Sequence, residues 1–237
     1  MELRAILDLV EAPADLVAWA PEDLGEAVER CPRGSWLAWI MGTTGLPIEH
    51  LFAAVAEVVR EALVVHGATQ EPLFDALDAS LDLLDGDEDG GECLAIAEEC
   101  ETLASQPPVG YRAGASPSFS ELATAASQVA HAAEGYQAAS TRAWALAEAL
   151  AVHRSALIGV ASFVFMPQDL RLVFDPDQFA VDRTSTDVLY VVAALASAIE
   201  HVERASAQSG GPGADDQSIQ ARAATASRLR ELITFRE

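Results

Sequence analysis

Four aspartates, Asp75, Asp78, Asp82 and Asp85, follow one another at spacings of three and four residues. On a helix those spacings put all four carboxylates on one face. The segment holds no basic residue, so the neighbours repel each other by roughly 0.2–0.5 kcal/mol per pair. Two readings stand: a solvent-facing stripe that keeps the chain soluble, and a recognition face for a basic partner.

The next residues are Asp85-Gly86-Asp87-Glu88-Asp89-Gly90. They place acids at positions 1, 3 and 5 and glycine at position 6 of a calcium loop, between two predicted helices. Position 12 of such a loop supplies a bidentate glutamate, and here it is Ile96, which removes two of about seven oxygens. The stretch reads as a solvated acidic turn and no metal is expected. The five histidines, His50, His66, His131, His153 and His201, form no metal-binding pair. Cys93 and Cys100 are too far apart for a zinc knuckle. Neither a nucleophile elbow nor a phosphate-binding glycine loop occurs. His201-Val202-Glu203-Arg204 reads as surface. The sequence therefore predicts no enzyme, no cofactor and no catalytic residue. The aromatic block Arg30-Cys-Pro-Arg-Gly-Ser-Trp36-Leu-Ala-Trp39-Ile-Met41 puts two of the four tryptophans three residues apart, either as core filling or as an interface anchor.

These residues must be positioned by helices. Of 237 residues 46 are alanine, the best helix former, and aromatics make up 6%. That balance predicts an all-α protein, a multi-helix bundle or irregular helical array with room for two lobes. Helices are expected over 2–11, over 21–31 opened by Pro21, and from a Ser35 cap to Gly42. The next runs from Pro47 to His66 with Gly67 as its C-terminal stop. Another spans 71–85 on a Leu73, Leu77, Leu81 and Leu84 stripe, and one runs from Glu92 to Ser105. Residues 107–117 read as a linker between an acidic N-terminal lobe, 1–106, and an Ala-rich C-terminal lobe, 118–237. Ser118-Phe-Ser-Glu121 matches a capping box for a long helical stretch, with breaks near Gly135 or Gly159 as options. An irregular connection occupies 167–182. Helices over 184–207 and 215–235 close the chain.

The formal net charge is −23, and all 14 bases are arginine. The acidity is concentrated: residues 1–106 hold 23 acids and 4 Arg, and residues 71–101 hold 12 acids and no base. Such a field repels phosphate backbones and anionic membranes, and it steers basic partners inward. Three cysteines make no disulfide framework, no apolar run is long enough to span a bilayer, and the N-terminus lacks a secretory pattern. A cytoplasmic location is expected.

The order of features resembles helical immunity proteins of bacterial polymorphic toxin systems. The resemblance rests on Cys31-Pro-Arg-Gly-Ser-Trp36-Leu-Ala-Trp39-Ile-Met, the amphipathic and acidic helices after it, the late helix Asp187–Arg204, and the closing Leu229-Arg230-Glu-Leu-Ile. The insert near 166–183 departs from that pattern. The resemblance implies a non-catalytic protein that binds and blocks a toxin domain. With the charge pattern, it makes Asp75, Asp78, Asp82, Asp85, Asp87, Glu88 and Asp89 the expected contacts of a basic partner. A helical scaffold or regulatory module without a toxin partner is the alternative.

Overall fold

The computed structural model describes residues 3–44, 46–85, 90–106, 116–154, 183–208 and 214–234. The fold is all-α, with ten helices and no strand among these residues. They are α1 Leu3–Leu9, α2 Ala14–Trp19, α3 Leu24–Arg30, α4 Gly34–Thr43, α5 Ile48–Val65, α6 Glu71–Asp85, α7 Gly90–Ser105, α8 Ser116–Arg154, α9 Arg183–Gln208 and α10 Ala214–Thr234.

Local chemistry explains most of the boundaries. At the end of α5, Gly67 adopts φ 71°, its N–H donates to Val64 O and the Ala68 N–H donates to Leu63 O. This is the expected glycine stop, in a Schellman arrangement. The same pair of bonds closes α1, from Glu11 to Asp8 O and from Ala12 to Leu7 O, but there the left-handed residue is Glu11 at φ 54°. The helix expected over 2–11 is therefore shorter and is followed by α2, whose N-cap Pro13 offers no capping side chain; Asp15 Oδ1 accepts from the Leu16 N–H at 3.1 Å in its first turn. Asp23, rather than Pro21, opens α3 by accepting a hydrogen bond from the Glu26 N–H at 2.8 Å. Helix α4 starts one residue before Ser35 and passes through Gly42. A Cβ on Gly42 would meet both Val192 methyls at 2.7 and 2.8 Å, so this glycine serves close packing on α9 and does not end the helix.

On α6 the deepest residues are Leu73, Ala76, Leu77, Ser80 and Leu83, while Leu81 and Leu84 are half-buried flanks. The 3.6-residue repeat carries the buried line to Leu83, one position before the expected Leu84. Helix α8 starts at Ser116, so Ser118 lies in its first turn and its hydroxyl donates to Ala205 O at 3.2 Å. The expected capping box at Ser118 is thus replaced by a contact with α9. Helix α8 also continues through Gly135 and spans about 58 Å at 1.5 Å per residue. It runs antiparallel to α9: Ser118 meets Ala205, Glu121 meets His201, and Gly135 faces Tyr190.

One hydrophobic cluster unites the two halves. Leu7, Leu37, Phe52 and Leu77 from the first half share it with Phe119, Val129, Leu195 and Leu229 from the second. Helices α6 and α7 pack on α8, while α4 and α5 pack on α9 and α10. Of the expected linker, residues 107–115 lie outside the described residues, and 116–117 are helical. The expected irregular segment 167–182 also lies outside them.

Two arginines of α10 fasten the N-terminal helices. Arg228 forms a two-pronged pair with Glu61 of α5, with Nε to Oε2 at 2.9 Å and Nη2 to Oε1 at 2.5 Å. Arg230 donates through Nε to Val28 O at 2.7 Å and through Nη2 to Cys31 O, satisfying carbonyls at the C-terminal end of α3. No helix among the described residues is long and apolar enough to cross a membrane.

Candidate functional site

The acidic face is built by α6 and α7 together. Their apolar sides, with Leu73, Leu77, Cys93, Ala97 and Cys100, are buried against the core. Their charged sides are left outward: Glu71, Asp75, Asp78 and Asp82 on α6, and Glu92, Glu98, Glu99 and Glu101 on α7, are all exposed. The two rows are close enough to act on one group. Burial first, and then the charges of Glu99, Asp75 and Glu101, push the Cys100 thiol up to about 12. Cys100 is therefore a buried, inert thiol that reports the negative potential above it.

The structure sorts the sequence-predicted residues. Asp75 and Asp82 are exposed and carry no ion pair with a described residue. Asp78 pairs with Arg60, which reaches across from α5 and also approaches Glu57 at 3.9 Å. Glu101 is held from α8 by the Ser127 hydroxyl at 3.2 Å and by His131 Nε2 at 2.9 Å. Asp85 is the last residue of α6, and its side chain, with Asp87, Glu88 and Asp89, lies outside the described residues. The calcium-like turn at 85–90 therefore also falls largely outside them. Among the described residues no cluster of three or more histidine, cysteine or carboxylate groups is arranged to hold a metal.

A second constellation surrounds Arg33, at the start of α4. Glu203 of α9 is buried, which corrects its reading as a surface residue. Its Oε1 accepts from the Ser35 N–H at 3.2 Å, and its Oε2 accepts from the Ser35 hydroxyl at 3.3 Å. Ser35 thus does not cap α4. Glu203 supplies the cap, and its negative charge meets the positive end of the helix. Burial is the largest influence on Glu203 and raises its pKa, against the lowering effects of the Ser35 and Gly34 N–H groups, Arg33 and Arg222. Arg33 lies with Nη1 3.1 Å from Asp15, Nε 3.8 Å from Glu203 and Nη2 3.9 Å from Glu200. Its guanidinium also covers the Trp36 ring at 4.9 Å. Trp36 in turn packs on Trp19, with centroids 5.5 Å apart.

The network continues along α9. Arg204 pairs with Glu200 at 2.8 Å and approaches Glu121 at 3.6 Å, and His201 Nδ1 lies 2.6 Å from Glu121. Beside Arg33 opens a cleft of about 240 Å³, walled by Asp15, Trp36, Trp39, Ala193, Ser197 and Glu200 among others. Both tryptophans are half-buried, so each serves the core and the cleft wall together.

Reasoning from the sequence missed this constellation because its parts lie 168 positions apart. One signal was present: Val192, Ala196, Ile199 and Glu203 recur at spacings of three and four on the buried side of α9. An acid on such a line must find a donor, and the start of another helix offers several. Comparison of the chain with family models, characterised proteins and solved structures gives no match.

Proposed function

We propose that this chain is a non-catalytic binding protein that acts inside the cell, an immunity protein that neutralises a basic toxin domain through the acidic face of α6 and α7. The observation carrying this reading is the exposure of carboxylates on two adjacent helices in a segment, 71–101, that has no base of its own. Asp75 and Asp82 stand without ion pairs to described residues, and Glu98 and Glu99 extend the charge onto α7. The field of such a face reaches about 8 Å at physiological salt, enough to orient a cationic surface before contact. Toxin domains that act on nucleic acids carry basic phosphate-binding surfaces, and an acidic protein blocks them by occupying the same ground.

The test is co-expression of the neighbouring gene's product with the full chain, followed by recovery at low and at high salt. The reading expects a basic protein that co-purifies at low salt and dissociates as salt rises. It also expects that Asp75→Arg combined with Asp82→Arg abolishes rescue from toxicity. Rescue that survives both reversals removes this face from the reading.

A further inference from the structure

The cleft between α2, α4 and α9 has its own chemistry, and none of its walls comes from α6 or α7. At about 240 Å³ it has room for roughly eight waters, or for one long side chain in their place, taking ~30 Å³ per water. Arg33, the one basic residue on its wall among the described residues, is faced by Asp15, Glu200 and Glu203 and leans on Trp36. An anion entering here would meet Asp15 and Glu200. An apolar group would strip water from both carboxylates and gain only indole surface.

A cation meets the opposite situation. Asp15 and Glu200 are partly exposed on the wall, and Glu200 shares its charge with Arg204 while Asp15 has Arg33. Trp39 lines the same space, and its ring has no aromatic or cationic partner among the described residues. Indole faces attract cations through their quadrupole, and Arg33 on Trp36 already makes that contact one turn away. We propose that this cleft is a binding site for a guanidinium or alkylammonium group, laid against Trp39 and paired with Asp15. The group belongs either to a side chain of a protein partner or to a small free cation.

N-acetyl-arginine amide and its neutral isostere N-acetyl-citrulline amide, titrated into the full chain while the tryptophan indole N–H resonances are followed by NMR, test this directly. The arginine compound is expected to shift the Trp39 resonance saturably, and the citrulline compound to bind at least tenfold more weakly. Ala193→Leu fills the cleft without touching a charge, and Asp15→Asn removes the exposed carboxylate; each should weaken the arginine compound at least fivefold. Equal binding of the two compounds overturns the proposal. So does unchanged binding in Ala193→Leu, or in Ser197→Leu should the first variant fail to fold. Tighter binding of acetyl-Gly-Arg-Gly-amide than of agmatine upholds the site and assigns it to a protein side chain; the reverse order upholds it and assigns it to a free cation. Because these ligands never involve α6 or α7, failure here leaves the acidic-face reading untouched, and failure there leaves this one.

Discussion

On α6 the carboxylates of Asp75 and Asp82 stand in solvent without an ion pair to a described residue, whereas on α9 the carboxylate of Glu203 is buried and holds the first turn of α4. Both sit on amphipathic helices of one chain. The difference lies in what the neighbouring elements offer. Helix α6 turns Asp75 and Asp82 into solvent while Asp78 meets Arg60 of α5, so water solvates the first two and their mutual repulsion costs little. Glu203 lies on the packed side of α9 and would be expensive there alone, but the open N–H groups of α4 and the Arg33 guanidinium receive it. Charge is thus used outward in one region and as internal scaffolding in the other, and substitution should separate the two uses.

The largest effect is expected at Glu203. Glu203→Ala leaves Arg33 short of a partner and the α4 start uncapped, and should destabilise the fold by about 3 kcal/mol, read from urea unfolding. A loss below ~0.5 kcal/mol, the range of ordinary surface changes, would erase the contrast. The seam beside it should respond next. In Gly42→Ala the better helix propensity of alanine contributes about 1 kcal/mol. Overpacking against Val192 opposes this at roughly 1–3 kcal/mol, so a net destabilisation of about 1 kcal/mol is expected.

Acidity sharpens the comparison further. The folded-state pKa of Glu203 is raised, so the folded molecule takes up this proton before the unfolded one does. The associated stability is fully present below the unfolded value near 4.5 and is lost as pH rises through the raised folded value. The native chain should therefore gain on Glu203→Gln as pH falls from 7 towards 4.5, measured as the difference in urea midpoint. A difference that stays flat or grows with pH contradicts the burial described. The smallest effect belongs to the outward face: Asp75→Asn and Asp82→Asn should each change stability by less than about 0.5 kcal/mol, because both groups are solvated and have no ion pair among the described residues.

The same contrast separates what was legible in the sequence from what was not. Helices α5, α6 and α7 followed from repeats of apolar residues and from glycine punctuation, since those signals act within a few positions. The outward Asp75, Asp78 and Asp82 followed from spacing alone, but the Asp78–Arg60 pair did not, because Arg60 approaches from another helix. Helix α2 has no capping side chain to announce it. Ser118 and Ser35 carried convincing local cap patterns, yet each hydroxyl bonds to a distant part of α9 instead. At these two serines a tertiary partner on α9 outcompeted the local one, and the cleft beside Arg33 exists only because α2, α4 and α9 converge there.

The cap that Glu203 gives to α4 also sets an order of events during synthesis. The helix start and its acceptor are 168 residues apart, so at roughly 5–20 residues per second the ribosome needs about 8 to 34 s to deliver the second after the first. Through that interval the nascent α4, with its two tryptophans, lacks the α9 surface on which it finally rests. Helix α4 is thus made early and finished late, once α9 has followed it.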